Sequence, residues 1–220
     1  MISAIIPAYN EEKTIRKVIE TVDASPLVDE IIAVDDGSTD GTLSEIKKTN
    51  AKWINLGTNI GKGGALSKGI QKSRGDILLF LDADLMGLNI EHIRDLLLPI
   101  TNNSAEMTIG LFTKDLTHRQ MPHFSGQRAL RRTVLEGIPN FEKAGFGFEM
   151  ILTRHTRARK VKTKKICLKN ITHVLKQKKQ RKFSAWQNKF KATWQIIRKT
   201  SDPFSLVAKF LLVICMKEIL

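Results

Sequence analysis

The stretch that decides the fold is Asp76-Ile77-Leu78-Leu79-Phe80-Leu81-Asp82-Ala83-Asp84, in which five apolar residues lie between charged ones. A run this short hides all of its side chains only as a strand of a sheet that helices cover on both faces. Such sheets are mostly parallel. The sequence therefore predicts an α/β protein built around this strand.

Two carboxylates follow the strand, at the end where open α/β sheets hold their ligands. In an extended chain Asp82 and Asp84 would point the same way. One aspartate here would ordinarily cap a helix or turn the chain. Two of them repel each other unless a cation or hydrogen-bond donors lie between them, and carboxylates suit Mg²⁺ and Mn²⁺. The pattern favours a metal site.

Further strands and helices alternate along the first half of the chain. We predict strands at residues 2–8, 30–34 and 53–56 and helices at residues 11–22 and 65–73. This alternation is typical of βαβ units and a parallel sheet. The polar or glycine-rich segments that follow the strands are residues 9–11, 35–40, 59–64 and 82–84. Because parallel strands end at one edge of a sheet, these segments should form one rim, as a nucleotide crevice requires.

The loop Asn59-Ile60-Gly61-Lys62-Gly63-Gly64 precedes a helix, and such loops can cradle phosphates. It lacks the spacing of a P-loop, and no dinucleotide fingerprint follows the first strand. A P-loop hydrolase and a Rossmann dehydrogenase are both disfavoured. A sugar nucleotidyltransferase is disfavoured too, because its glycine-rich loop would stand where this chain has Ala8-Tyr9-Asn10-Glu11.

The charge of the chain predicts an anionic partner. Its 36 basic and 22 acidic residues give a formal net charge of +14, and residues 150 to 201 contain no acidic residue. Nucleic acid is the competing explanation, since basic stretches with interleaved aromatics bind single strands. Here the aromatics recur at helical spacing and no RNA-binding signature is present. A pure binding module would also not need Asp82 and Asp84.

The basic tract should begin with strands at residues 154–168 and 171–175. A helix with an aromatic stripe and a last apolar helix would follow, and the apolar run at residues 204–216 is too short to span a membrane. This tail could lie on an anionic membrane surface or pack on the catalytic domain, and we favour membrane contact. The domain prediction is a catalytic domain at residues 1–180, with a nucleotide-binding half at 1–100 and an acceptor half at 101–180, and a basic and apolar helical tail at 181–220.

The cysteine content predicts a reducing compartment. Cys167 and Cys215 are too few and too far apart for a disulfide framework or a metal-binding spacing, and we expect both to be inert core thiols. No signal peptide is evident at residues 2–6. The expected location is the cytoplasm, and the membrane contact favoured for the tail would make the protein peripheral on the inner face of the cell membrane.

Four motifs in order resemble the family 2 glycosyltransferases of the GT-A fold, which include polyprenyl-phosphate sugar synthases and small bacterial members. They are Pro7-Ala8-Tyr9-Asn10-Glu11-Glu12, Val34-Asp35-Asp36-Gly37-Ser38-Thr39-Asp40, Gly61-Lys62-Gly63 and the DXD motif Asp82-Ala83-Asp84. A second block resembles the acceptor side of the bacterial members. It consists of Ser125-Gly126-Gln127-Arg128-Ala129-Leu130 and Gly145-Phe146-Gly147-Phe148-Glu149.

The resemblance implies a metal-dependent transfer of sugar from a nucleoside diphosphate sugar, UDP favoured over GDP, to a phosphate-bearing or lipid-linked acceptor. It favours inversion over retention. The implied nucleotide-sugar residues are Ala8, Tyr9, Glu11, Asp36, Lys62, Asp82 and Ala83. Asp36 would bind the base and Asp82 the ribose or base, while Lys62 would lie near the nucleotide or only support its loop. Asp84 would hold Mg²⁺ or Mn²⁺ against the donor diphosphate, with Asp82 as a further metal candidate.

Glycosyl transfer builds charge on the departing diphosphate, and a divalent cation neutralises that charge. Arg128 and His173 are candidates to add to it, His173 also as a metal ligand. The alternative for Arg128 is a solvated helix residue beside Arg131 and Arg132. For His173 the alternative is an ordinary half-buried histidine.

A hydroxyl acceptor also requires a base, whereas a phosphate acceptor arrives ionised. Glu149 is the best candidate because it lies in a segment of aromatic and glycine residues that could shield it from water. Its alternative is a carboxylate at the amino-terminal end of a helix. Glu142 is a weaker substitute.

Overall fold

The structure is a computed structural model. It describes residues 1–112, 125–138, 142 and 147–173. The predicted tail at 181–220, the end of the predicted strand at 171–175, Cys215 and the Gly145-Phe146 pair of the second block lie outside the described residues.

Strands and helices alternate as far as residue 80, and beyond it some strands follow each other directly. In order they are β1 (Ile2–Ala8), α1 (Ile15–Asp23), β2 (Glu30–Asp35), α2 (Thr42–Lys47), β3 (Lys52–Asn55), α3 (Lys62–Lys72), β4 (Ile77–Phe80), β5 (Leu85–Met86), α4 (Ile90–Thr101), β6 (Met107–Phe112), β7 (Arg128–Arg131), a 3-10 helix (Arg132–Leu135), α5 (Phe148–Ala158), β8 (Thr163–Leu168) and β9 (Thr172–His173).

Seven of these strands form one sheet in the order β3-β2-β1-β4-β7-β6-β8. β1 pairs in parallel with β2 and β4, β2 with β3, and β6 with β8. Only β7 in this sheet runs against its neighbours, β4 and β6. β5 and β9 form a separate antiparallel pair. The predicted α/β class with a mostly parallel sheet is confirmed.

Helices cover both faces of the sheet. The apolar side chains of α1 and α4 pack in one core cluster, and those of α3 and α5 pack in the other. All four residues of β4 are buried, and they alternate between the two clusters. The short apolar run that decided the fold therefore lies in the middle of the sheet, as predicted.

Two predicted helix starts were wrong, for local reasons. Helix α1 begins at Ile15 rather than at residue 11, because Asn10 has a φ of 55° and the chain first turns across the neighbouring loop. Helix α3 begins at Lys62 rather than at Ala65. Gly61 has a φ of 86° and ends the loop, so the glycines after it form the first helical turn.

Three further expectations need correction. The predicted strand at 154–168 begins only at Thr163, because α5 continues to Ala158 with its buried residues at helical spacing. Strand β4 ends at Phe80, and Ala83 and Asp84 lie in a turn, so the extended alternation expected for the two aspartates does not hold. Cys167 is exposed on β8 rather than buried in the core.

Glu30 lies at the start of β2, at the edge of the sheet where the parallel strands begin, and it joins several neighbouring segments there. Its carboxylate accepts hydrogen bonds from Ser3 Oγ at 2.7 Å, Lys52 Nζ at 2.9 Å and the Arg74 backbone N–H at 3.0 Å. Burial alone would raise the pKa of Glu30, but these donors outweigh it and lower the pKa to about 2. The ionised carboxylate thus joins β1, β2, β3 and the segment before β4.

We expect Glu30→Gln to destabilise the fold by on the order of 2 kcal/mol at pH 7. Because the folded pKa lies below the ordinary value of 4.5, this contribution is present above pH 4.5 and is lost as the pH falls toward 2. Urea unfolding at several pH values measures it. Glu20→Gln, which removes an exposed partner of Arg16, is the control and should cost little. Equal stability of the wild type and Glu30→Gln at pH 7 would contradict the assignment.

Candidate active site

The loops after β1 and β2 are bonded to each other. The backbone N–H groups of Asn10 and Glu11 donate to Ser38 Oγ at 3.0 Å and Thr42 Oγ1 at 2.7 Å. In return, the Thr39 N–H donates to Asn10 Oδ1 at 2.9 Å. The two loops therefore form one rim at the carboxyl edge of the sheet.

Asp36 extends this rim to the glycine-rich loop. Its two carboxylate oxygens accept hydrogen bonds from the N–H groups of Ile60, at 2.8 Å, and Gly61, at 3.0 Å. A side chain at Gly37 would collide with the Thr58 backbone, so the two loops touch directly. Burial raises the pKa of Asp36 although both N–H groups lower it. In this structure Asp36 holds the loop that leads into α3.

Lys62, the first residue of α3, connects the loop to two carboxylates with predicted roles, Asp82 and Glu149. Its Nζ lies 2.6 Å from Asp82 Oδ1 and 2.6 Å from Glu149 Oε1. Burial alone would lower the pKa of Lys62. The negative charges of Asp82 and Glu149 outweigh this effect, so the pKa is raised above its ordinary value. Lys62 is a stable cation between two anions.

Asp82 has a second donor, which the sequence reasoning did not single out. Gln127 Nε2 donates to Asp82 Oδ2 at 2.8 Å. Gln127 lies next to β7, within the block that resembles an acceptor side. Two nearby aspartates repel each other unless a cation or hydrogen-bond donors offset their charges. For Asp82 the protein itself supplies such donors.

Arg128 lies at the start of β7 with no exposed surface. Its Nε donates to the Ser125 carbonyl at 2.9 Å, and both terminal nitrogens lie 3.1 Å from Thr153 Oγ1. Burial lowers the pKa of Arg128 to about 10, and the charge of Glu149 opposes that shift. The alternative of a solvated helix residue is wrong.

Glu149 lies in the first turn of α5 and is 4% exposed. Its position agrees with the alternative of a carboxylate at the amino-terminal end of a helix. Its ion pair with Lys62 also places it beside Asp82. Glu142 lies elsewhere, with its carboxylate bonded to Ser67 and Gln71 farther along α3. Of the two base candidates, the structure places Glu149 in the charged cluster.

Asp84 is 4% exposed and lies just before β5. Strand β5 pairs with β9, and Leu85 is opposite His173, so the backbone of His173 runs beside the residue that follows Asp84. The ring of His92 forms a hydrogen bond with the Lys169 carbonyl oxygen at 2.8 Å. This bond holds the segment that leads into β9. The predicted metal residues thus lie on neighbouring segments, Asp84 in the turn just before β5 and His173 in β9.

Gly87 makes this pairing possible. Its φ is 80°, and a Cβ there would overlap the Asn170 carbonyl oxygen. We expect Gly87→Ala to separate β5 from β9, to lower stability by about 2 kcal/mol and to weaken Mn²⁺ binding. Thermal unfolding with and without Mn²⁺ measures both effects. Gly57→Ala is the control, because Gly57 also has a positive φ but no neighbour in reach. Equal Mn²⁺ responses of the two variants would contradict this role of the pairing.

The remaining predicted nucleotide residues surround the rim. Ala8 ends β1, and its carbonyl accepts the Asp36 N–H at 2.8 Å. Tyr9 is 44% exposed, Glu11 is half-buried and Ala83 is buried. Tyr9 is the large side chain that this part of the rim offers to a ligand.

The chemistry of the rim fits a divalent cation. Carboxylate oxygens suit Mg²⁺ and Mn²⁺, which are commonly held by one or two carboxylates together with substrate phosphates. Both Asp82 oxygens accept hydrogen bonds from protein donors. The sequence prediction assigns the metal to Asp84, which lies two residues farther along the chain, in the turn after β4. Among the described side chains, no three acidic, histidine or cysteine groups form a metal cluster on their own.

A positive surface lies on α5 and β8. The exposed cations there and in the adjoining turns are Arg154, Arg157, Arg159, Lys160, Lys162, Lys164, Lys165 and Lys169. None of the helices within the described part of the chain has the length and apolarity needed to cross a membrane.

The mostly parallel seven-stranded sheet with helices on both faces is the fold of the GT-A class. The model of the family described as glycosyl transferase family 2 matches residues 3–151. The chain belongs to glycosyl transferase family 2.

Its similarity to individual relatives is moderate. It is 31% identical over 192 residues to the glucosyl-3-phosphoglycerate synthase of Petrotoga mobilis, which covers 68% of this chain and 58% of that protein. It is 30% identical over 167 residues to a dolichyl-phosphate beta-glucosyltransferase of Trichomonas vaginalis, with 68% of this chain and 45% of that protein covered. The chain thus spans less than two thirds of the length of these relatives.

A solved structure shares the fold. Glucosyl-3-phosphoglycerate synthase from Mycobacterium tuberculosis, in complex with Mn²⁺, UDP-glucose and phosphoglyceric acid, superposes with a TM-score of 0.69 and 26% identity. The match covers 82% of this chain and 74% of that one. The same enzyme has also been solved with Mg²⁺ and UDP.

Proposed function

We propose that this chain is a metal-dependent glycosyltransferase that moves a sugar from a nucleoside diphosphate sugar to an acceptor that carries a phosphate. The observation that carries the proposal is the meeting of Lys62, Asp82 and Glu149 at one sheet edge, beside Asp84, in a member of this family. UDP is proposed over GDP and glucose as the sugar, because the solved relative binds UDP-glucose.

The donor would lie along the rim, with its nucleoside at Ala8, Tyr9 and Glu11. Asp36 would act there through the glycine-rich loop that it holds, and its contact with the base would require that loop to open. Asp82 would face the ribose or base, and Ala83 would also contact the nucleotide sugar. These assignments agree with the placement of the residues at the sheet edge.

Asp84 would hold the divalent cation, with His173 from β9 as a second ligand. A bound Mg²⁺ or Mn²⁺ supplies positive charge to the departing diphosphate without moving a proton. Arg128 would also add positive charge to the site. Because its guanidinium has no exposed surface, that charge would act from the protein interior, near Glu149.

The acceptor would approach from the side of α5. Glu149 is proposed as the base that takes a proton from an acceptor hydroxyl, once the acceptor displaces its ion pair with Lys62. A phosphate acceptor would arrive already ionised and would not need it. Inversion stays the favoured outcome of the transfer.

The phosphate of the acceptor has two possible sources. A small soluble molecule such as phosphoglycerate is favoured by the solved relative, and a polyprenyl phosphate by the dolichyl-phosphate relative. A lipid acceptor would bring the exposed cations of α5 and β8 to an anionic membrane surface, where each contributes about 1 kcal/mol.

The test begins with thermal unfolding of the full chain in the presence of UDP, GDP and their glucose derivatives, with and without Mn²⁺. We expect UDP-glucose with Mn²⁺ to stabilise most. The best donor is then incubated with 3-phosphoglycerate, glycerol 3-phosphate, or polyprenyl phosphate in vesicles. A glucosylated product in one arm identifies the source of the phosphate. Stabilisation by no nucleotide, together with no product in any arm, would contradict the proposal.

A further inference from the structure

Four charged side chains of alternating sign form a row at the carboxyl edge of the sheet. Asp82 pairs with Lys62, Lys62 pairs with Glu149, and the charge of Glu149 acts on Arg128. Lys62 and Asp82 belong to the first hundred residues, and the other two come from β7 and α5. The row therefore connects distant parts of the sequence, and its two positive and two negative charges balance.

The packing around Lys62 leaves little freedom. A Cβ at Gly126 would lie 2.5 Å from Asp82 Oδ2 and 2.6 Å from Lys62 Nζ, so a larger residue there would have to displace these two side-chain ends. Gln127 holds the other oxygen of Asp82, and Thr153 holds Arg128. Each end of the row is thus fixed by a neutral partner, while the middle depends on Lys62.

Lys62 also separates two anions that would otherwise repel each other. The oxygens of Asp82 and Glu149 each lie 2.6 Å from the same nitrogen, so they are within about 5 Å of each other. At that distance buried Glu149 and partly buried Asp82 would repel each other if nothing neutralised them. Without the lysine charge, one of the two carboxylates would have to take up a proton or move away.

We propose that Lys62 is a positioning residue, which fixes Asp82 and Glu149 relative to each other before any substrate binds. Through Gly61 and Ile60, which Asp36 holds, the same residue connects the nucleoside side of the rim to α5. The inference depends on the proposed function only for what these carboxylates do in catalysis. The competing role for Lys62 is direct contact with the donor diphosphate.

The test is a double-mutant cycle of thermal unfolding without metal or nucleotide, using Lys62→Met, Glu149→Gln and the double variant. We expect Lys62→Met to lower the unfolding midpoint by about 5 °C or more, because it leaves two close anions without their shared cation. Adding Glu149→Gln should restore part of that loss, since one anion is removed. Lys68→Met, on the exposed side of the same helix, is the control and should change the midpoint little.

The second readout separates positioning from donor contact. A positioning role predicts that Lys62→Met lowers kcat at least about tenfold while the affinity for Mn²⁺ with UDP changes only a few-fold. Gly126→Ala keeps every charge but pushes Asp82 and Lys62 apart, so it should show the same pattern, and it serves if Lys62→Met does not fold.

Two results would overturn the inference. One is a double variant no more stable than Lys62→Met, and the other is a tenfold or larger loss that falls on Mn²⁺ and UDP affinity instead of kcat. The unfolding cycle needs no substrate, so it still tests Lys62 if the transferase activity is absent. A failure of the proposed function is thereby distinguishable from a failure of this inference.

Discussion

Asp84→Asn is expected to lower the rate of sugar transfer by about 100-fold or more. Loss of a hydrogen-bond partner in the outer shell of a metal ligand already costs about 10- to 100-fold, and this substitution would weaken a ligand itself. The neutral amide has nearly the shape of the carboxylate, so the fold should persist. The measurement is donor turnover across a range of Mn²⁺ concentrations, where the variant should require far more metal.

The control for this variant lies at the other end of the same strand. Asp76 precedes β4, is exposed and pairs with the terminal amine. Asp76→Asn changes the formal charge equally and should leave turnover and its Mn²⁺ dependence unchanged. If the two variants behave alike, Asp84 is not the residue that binds the metal.

Arg128→Met is expected to destabilise the fold by about 3–5 kcal/mol. The side chain is fully buried, and its loss leaves the Ser125 carbonyl and Thr153 without their donor. It also removes a positive charge that interacts electrostatically with buried Glu149, and a buried carboxylate that loses a compensating charge is costly. Urea unfolding at neutral pH measures the difference.

Arg131→Met provides the comparison on the same strand. Arg131 is half-buried, and its guanidinium bonds the Ile100 carbonyl at 3.0 Å near the end of α4. We expect this variant to cost about 1 kcal/mol. A cost for Arg128→Met no greater than that for Arg131→Met would mean that the buried charge row contributes little to stability.

The sequence allowed prediction of β1 to β4 because most of these strands are short apolar runs, of which β4 is the clearest case, whereas β6 and β7 were not predicted. It also located the rim, because the residues after each parallel strand must meet at one edge. The predicted starts of two helices were wrong because a single backbone angle, at Asn10 or at Gly61, determines where the helix can begin. The alternation of residues in one segment does not reveal these angles.

The charged row could not have been predicted from spacing. Lys62 and Glu149 are 87 positions apart, and only the fold brings them into contact. The sequence offered Glu149 as a base and Lys62 as a loop residue, without any sign that one neutralises the other. Gln127 stood inside a quoted block, but nothing in its neighbours indicated that it would bond Asp82.

The burial of Arg128 could not have been predicted from the sequence either. Three arginines within five residues are typical of a solvated surface, yet the strand pairing of β7 with β4 and β6 turns the first of them inward. Its burial is possible because Ser125 and Thr153 satisfy its donors and Glu149 lies nearby. That set of partners comes from three separate segments.

The central claim is that a divalent cation at Asp84 holds the diphosphate of a nucleotide donor. Calorimetric titration of UDP into the wild-type chain, once with Mn²⁺ and once with a chelator, tests it most directly. We predict binding at least about tenfold tighter with Mn²⁺, and loss of that difference in Asp84→Asn. Equal affinity in the two titrations, or an unchanged metal effect in the variant, would contradict the claim.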